Sequence, residues 1–137
     1  MTTNFHIAEL LVRVFAGVLF LYQGYDKLFR IKMPGVISAF TKDAESNHVP
    51  RPILNLVAYY TSIVEFLGGL FLIFGLFTSC ALYALGLDLV LVCLAFSYMT
   101  PIWDMKHVFP RLILLVSLLL FPQESHYYSL DHFMGAK

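Results

Sequence analysis

The sequence predicts an all-α membrane protein: a bundle of four transmembrane helices with a short interfacial helix between the first two. Hydrophobic residues make up 59% of the 137 residues and charged residues only 13%, whereas a soluble chain carries about 25% charged residues. Three apolar stretches reach the ~20 residues that a spanning helix needs. The net charge is zero, so nothing in the composition suggests nucleic-acid binding, which needs a basic face, and we expect no nucleic-acid partner. We expect residues 1–137 to form a single membrane domain.

The predicted spans cover about residues 7–29, 53–77, 79–100 and 108–122. The fourth gives only roughly 20 Å of helix, short of the ~30 Å hydrocarbon core. It therefore begins earlier, near Trp103, with a kink at Pro110, or the bilayer thins around it. A re-entrant segment is the remaining alternative.

The connections between the first three spans differ in kind. The link Thr78–Ser79 is so short that it predicts a tight antiparallel hairpin. In the long first link, Met33–Gly35 is expected to break the chain. Apolar residues such as Val36 and Phe40 follow at helical spacing and predict the interfacial helix at about residues 34–42.

Basic residues predict the orientation, because cytoplasmic loops are enriched in Lys and Arg. The N-terminal tail has none before the first span. The basic residues of the two predicted cytoplasmic links are Arg30, Lys32, Lys42, Arg51 and Lys106. Both termini are therefore expected on the periplasmic side of a bacterial inner membrane.

Small residues flank a charged residue on one face of each of the first three helices. Such seams let helices approach closely in lipid, where hydrophobicity does not drive association. We expect these faces to meet in a tight bundle without a wide channel. The predicted packing glycines are Gly17, Gly24, Gly68 and Gly69.

Each span also carries an ionisable residue inside the membrane. These residues are Arg13, Glu65, Asp88 and Arg111. An unpaired charge at mid-bilayer costs about 2.5–3.5 kcal/mol, so they must be paired, protonated or hydrated. Depth along the helices predicts that Arg13 reaches Asp88 or Glu65, that Glu9 shares Arg13, and that Asp26 pairs with Arg111. Such pairs either fix helix register alone or also form a functional site.

Few other residues suggest chemistry. Gln23 and Lys27 are candidate contacts for a quinone or another ligand. His107 at the mouth of the bundle is a further candidate, although a solvated loop histidine is the favoured interpretation of that residue. The five histidines lack metal-ligand spacing, so no metal site is expected. No haem-like histidine pair or cysteine cluster is present, so we expect no cofactor bound by ligands of this chain.

Two segments resemble the DoxX family of small bacterial membrane proteins. The first is LLVRVFAGVLFLYQGYDKLF, with an arginine, spaced glycines and a late lysine; the second is VEFLGGLFLIFGLFTSCALYALGLDLV, with E-x-x-G-G before a tight turn. The resemblance covers about residues 8–122 and implies a four-helix inner-membrane protein. Relatives include a subunit of thiosulfate:quinone oxidoreductases. The positions that it singles out are Arg13, Gly17, Gly24, Lys27, Glu65, Gly68 and Gly69.

Two functions remain open at this stage. The chain is either the membrane subunit of a quinone-linked redox complex or a non-catalytic accessory subunit that holds other proteins together. In both cases its partners are the lipid bilayer and other membrane or membrane-associated proteins. A solute carrier is less favoured because no inverted repeat or broken helix pair is visible. Whether the chain is an enzyme, and which residues would be catalytic, is left open.

Overall fold

The computed structural model is helical, with no β-strand in the parts of the chain that it describes, which are residues 2–46, 48–99, 108–122 and 126–135. An all-α fold is therefore confirmed. The helices are α1 (Thr2–Tyr25), α2 (Lys32–Ser46), α3 (Arg51–Phe74), α4 (Thr78–Met99), α5 (Phe109–Leu120) and the single turn α6 (Leu130–Phe133). A π-helical segment, Asp26–Arg30, continues α1.

Three of these helices are long and apolar enough to cross a membrane by length and composition. They are Thr3–Arg30, Arg51–Phe74 and Thr78–Tyr98. The apolar helix α5 is shorter, at 12 residues, because Pro110 lies in its first turn and Phe121 is already extended. This set of helices is the predicted membrane bundle. The alternative start of the fourth span near Trp103 lies outside the described residues.

Helix α2 begins one residue before the predicted chain break. Only Ile31 separates the π segment from Lys32, which has a positive φ of 62°, and the helix then continues through Pro34 and Gly35. The expected break at Met33–Gly35 is therefore wrong. Proline is tolerated in the first turn of a helix, where its missing N–H would have no partner.

Helix α2 buries its apolar face against protein. Met33 and Val36 pack with Ala58 of α3. The ring centroids of Phe40 and of Phe96 in α4 lie 5.2 Å apart. The helix is thus held across the ends of α3 and α4 that lie away from their connecting turn.

A three-residue turn, Gly75–Phe77, joins α3 to α4. Gly75 ends α3 in the left-handed conformation, with φ 64° and ψ 40°, which glycine adopts without steric cost. The tight hairpin is present, and its turn lies just before the predicted link. At the other end, Pro50 is the extended residue that precedes α3.

The closest helix contact is between α1 and α3. A Cβ on Gly17 would lie 2.7 Å from Ile73 Cγ1 and 2.9 Å from Gly69 O. A Cβ on Gly24 would lie 2.8 Å from Phe66 Cβ. Only hydrogen fits at these positions, so the glycines fix both the separation and the register of α1 and α3.

The remaining helices pack around this pair. Gly68 faces α4, where an added Cβ would lie 2.8 Å from Leu85 Cγ. Helix α5 packs against both α1 and α4. The core between them is made of apolar side chains, including Ala16, Phe20, Leu72, Leu82, Leu85, Leu89, Leu115 and Leu118.

The glycine contact predicts opposite effects for the same substitution at two sites. In Gly69→Ala, the new methyl would lie 2.7 Å from Gly17 O and also against the Leu21 backbone. We expect a loss of about 1–3 kcal/mol, typical of overpacking. The matched control is Gly86→Ala, where nothing lies within 4 Å and helix propensity favours alanine by up to about 1 kcal/mol.

Thermal unfolding of both variants in detergent measures the difference. Equal stability of Gly69→Ala and Gly86→Ala would show that α1 and α3 do not meet at these glycines.

Candidate functional site

The buried charged residues form two separate clusters. The tail-end cluster consists of Glu9, Arg13 and His126, next to the turn between α3 and α4. The mid-bundle cluster consists of Gln23, Lys27, Glu65, Asp88 and Arg111, and each of the helical spans contributes to it. In both clusters some side chains are completely buried among apolar helices, including Glu9, Arg13 and Asp88 at 0% exposure.

In the tail-end cluster Arg13 is saturated with partners. Its Nε donates to Glu9 Oε1 at 2.7 Å, its Nη1 to the carbonyl of Leu72 at 2.8 Å, and its Nη2 to the carbonyl of Tyr128 at 2.9 Å. Leu72 lies in the last turn of α3, where carbonyls lack helical partners and attract a cation. Arg13 therefore joins α1, the end of α3 and the C-terminal segment.

This geometry decides between the predicted partners of Arg13. Glu9 is its ion-pair partner, as one part of the prediction states, but Asp88 and Glu65 are not within bonding distance. The α1–α3 register places Arg13 beside Leu72, and Glu65 lies seven residues earlier on α3, roughly 10 Å along the helix axis.

The C-terminal segment, residues 126–135, covers this end of the bundle. His126 Nδ1 lies 2.7 Å from Glu9 Oε1. Asp131 accepts hydrogen bonds from the backbone N–H groups of Phe77 at 2.7 Å and Thr78 at 2.8 Å, and its own N–H donates to Gly75 O at 3.0 Å. Asp131 thus supplies the N-terminal cap of α4 from more than 50 residues away.

Sequence reasoning missed both His126 and Asp131. Each acts across more than fifty residues of chain, so no spacing pattern connects it to its partner. The only local signal near Asp131 is Ser129, whose hydroxyl caps α6 by accepting from His132 N at 3.2 Å. That signal predicts the turn at α6 and not the contact of Asp131 with α4.

The central contact of the mid-bundle cluster is an ion pair between Lys27, in the π-helical segment that continues α1, and Glu65 of α3. Lys27 Nζ lies 2.6 Å from Glu65 Oε2, and the side chains are 19% and 1% exposed. The contact is an ion pair by distance rather than a well-aligned hydrogen bond. Lys27 was expected only as a ligand contact, so this pairing is new information from the structure.

The π segment positions Lys27. It adds a residue to the helical turn after Tyr25, with Ile31 N donating to Asp26 O at 2.8 Å. Such π-helical turns often occur at functional sites because they redirect side chains. Here Lys27 meets Glu65, while Asp26 pairs with Arg30 at 3.1 Å on a more exposed side.

Arg111 is part of the mid-bundle cluster and does not form an ion pair with Asp26. Its guanidinium carbon lies 6.0 Å from the centre of the Phe20 ring, within cation–π range, and it experiences the charges of Glu65 and Asp88. The expected Asp26–Arg111 pair is therefore wrong: the structure pairs Asp26 with Arg30 on its own helix.

Asp88 is the least satisfied charged side chain described. Neither carboxylate oxygen has a hydrogen-bond partner within the described ranges, although the residue is completely buried. Gln23 Oε1 is likewise buried without a partner there. Asp88 is also influenced by the charges of Glu65, Lys27 and Arg111.

The other candidate residues add less. His107 lies outside the described residues. Over the described ranges, no group of three or more His, Cys, Asp or Glu side chains could hold a metal ion. The chemistry open to the mid-bundle cluster is therefore that of its own acids, amide and cations: proton exchange and hydrogen bonding to a ligand.

The capping role of Asp131 predicts a stability loss in Asp131→Asn. The amide keeps one acceptor oxygen but loses the second and the charge, so we expect a loss of about 1–2 kcal/mol. Asp26→Asn is the matched control, because an exposed ion pair contributes little. Thermal unfolding in detergent checks both; equal midpoints would contradict the cap.

Comparison with known proteins agrees with the sequence and the fold. The DoxX family model matches residues 8–98, which include most of α1, all of α2 and α3, and nearly all of α4. Neither the curated proteins nor the solved structures give a significant match. Because the family model covers well over half of the chain and the bundle is helical and apolar as that family requires, the chain belongs to the DoxX family of multi-pass membrane proteins.

Proposed function

We propose that this protein is the membrane subunit of a quinone-linked redox complex in the bacterial inner membrane. The observation that carries the proposal is the mid-bundle cluster, which gathers two cations and two carboxylates among apolar helices. Intramembrane ionisable residues are costly and mark functional sites by default. The partial exposure of Lys27, 19%, gives a ligand a way to reach the cluster.

The side chains suit the chemistry of a quinone head group. Quinone reduction takes up two electrons and two protons, and the ring carries two oxygen atoms that exchange between carbonyl and hydroxyl. Lys27 and Arg111 are hydrogen-bond donors, and Glu65 and Asp88 are groups that can hold a proton. The electrons come from a redox partner protein in this proposal, and the chain supplies the head-group site and the protons.

The proposed orientation follows the distribution of basic residues. The end of the bundle that carries α2 also carries Arg30, Lys32 and Arg51, and the positive-inside rule assigns such an end to the cytoplasm. The tail-end cluster and both termini are then periplasmic. A redox partner would dock on either aqueous side, close to the end of one span.

A second candidate function is a non-catalytic accessory subunit. The tail-end cluster favours it, because Arg13 is saturated with partners from α1, α3 and the C-terminal segment. Such a network fixes helix register and needs no ligand. In that case the mid-bundle cluster serves assembly too.

Purification in gentle detergent from native membranes separates the two functions. Mass spectrometry identifies co-purifying proteins, and solvent extraction measures bound quinone. A redox partner with quinone near one equivalent supports the redox function. A bundle without quinone, or bound only to a non-redox assembly, contradicts it.

Glu65→Gln is the variant that tests the site within the purified complex. We expect quinone-dependent electron transfer to fall by about 10²–10⁴-fold, as when a proton-transfer group is removed, while the protein remains folded. The control is Ser117→Ala on α5, whose hydroxyl donates to the Ile113 carbonyl of its own helix. Full activity in a folded Glu65→Gln variant favours the accessory function.

A further inference from the structure

The unpartnered atoms of the mid-bundle cluster are hydrogen-bond acceptors. Asp88 leaves both carboxylate oxygens without a partner among the described residues, and Gln23 leaves its amide oxygen. Exchanging the oxygen and nitrogen of the Gln23 amide would turn its unpartnered acceptor into a donor, whereas both oxygens of an ionised Asp88 carboxylate are acceptors. Ionised Asp88 is therefore the acceptor that distinguishes one ligand from another.

The nearest cations of the cluster lie against other groups, and neither donates a hydrogen bond to Asp88. Lys27 lies 2.6 Å from Glu65 Oε2, and the guanidinium of Arg111 lies over the Phe20 ring. The backbone N–H groups around Asp88 belong to the interior of α4 and are used within the helix. Within the described residues, no protein donor is left for Asp88.

A buried acceptor without a donor destabilises the protein, and does so more strongly when it is charged. A ligand that brings a donor to Asp88 recovers that free energy. A ligand that brings another acceptor does not, and it places two sets of lone pairs against each other. The cluster therefore discriminates ligands by the direction of their hydrogen bonds.

We propose that the mid-bundle cluster, with Asp88 ionised, binds the hydroxyl-bearing, reduced form of a quinone more tightly than the oxidised form, because the Asp88 carboxylate accepts a hydrogen bond from a quinol hydroxyl. This inference rests on the proposed function and adds which redox form the site holds. A quinone carbonyl only accepts, whereas a quinol hydroxyl donates, so the two forms differ at the atom that meets Asp88.

The preference has a consequence for electron transfer. Tighter binding of the reduced form raises the potential of the bound quinone couple. Each tenfold ratio of dissociation constants corresponds to about 30 mV for a two-electron couple. The site would thus draw electrons from its redox partner and release the quinol slowly.

Equilibrium binding of decyl-ubiquinone and decyl-ubiquinol to the purified protein in lipid nanodiscs tests the inference. The quinol measurement is made without oxygen in the presence of excess reductant. We expect the wild-type protein to bind the quinol at least about tenfold more tightly, in line with the cost of an unsatisfied buried acceptor.

Asp88→Asn assigns the preference to that residue. Its amide turns one acceptor into a donor, so we expect the ratio of dissociation constants to fall to about one. Asp26→Asn makes the same change outside the cluster, where Asp26 pairs with Arg30, and should keep the wild-type ratio. If Asp88→Asn does not fold, a redox titration of quinone bound to the wild-type protein gives the same ratio independently.

The outcomes separate this inference from the proposed function. Binding of neither form overturns both. Binding of both forms with equal affinity overturns the inference alone and leaves a quinone site in which water satisfies Asp88. A quinol preference that Asp88→Asn leaves unchanged assigns the discrimination to another residue and also overturns the inference.

Discussion

The close approach of α1 and α3 at glycine is the constraint on which the rest of the structure depends. In lipid, helices gain little from hydrophobic association, so packing must hold them together. Gly17 and Gly69 let the two backbones touch, with a Cβ on Gly69 only 2.7 Å from Gly17 O. That contact fixes which residues of α1 and α3 lie at the same depth. The register therefore determines which charged side chains can form ion pairs with each other.

The register divides the charges into two clusters of different character. Around Arg13 every strong donor has a partner, including the carbonyl groups at the end of α3, and the C-terminal segment closes that end. Around Asp88 the acceptors lack donors among the described residues. Glu9 Oε2 is the exception at the Arg13 end, since it is also buried without a partner in the described residues. A network whose donors are all engaged rigidifies a fold, whereas a carboxylate with neither oxygen satisfied gains free energy when a ligand brings it a donor. The same helices therefore provide a fixed end and a site with capacity to bind.

Much of the architecture follows from the sequence because lipid limits the possible structures. Backbone groups within the membrane must be satisfied by helices, so long apolar runs predict the spans. The predicted small and polar face of α3 is the buried face, from Ala58 through Glu65 to Leu72. Its glycines lie at the helix contacts because only they permit such close approach. Local periodicity is thus sufficient for the long spans and for the buried face of α3.

The ion pairs were not predictable from the same patterns. Depth counted from predicted span ends puts Arg13 within reach of Glu65, whereas the structure places Arg13 beside Leu72, about two helical turns further along α3. The π segment adds a residue that no periodicity indicates and so changes the direction of Lys27. The cap from Asp131 joins segments far apart in sequence. Each of these depends on tertiary geometry.

A double-mutant cycle on Glu65 tests the central claim that the α1–α3 register sets the pairing. Unfolding free energies in detergent are measured for Glu65→Gln combined with Lys27→Met, and for Glu65→Gln combined with Arg13→Met. We expect a coupling free energy of about 0.5–3 kcal/mol between Glu65 and Lys27, which is typical of residues in contact. The effects of the Glu65 and Arg13 substitutions should be additive. Coupling of Glu65 to Arg13 with additivity toward Lys27 would contradict the register and the two clusters built on it.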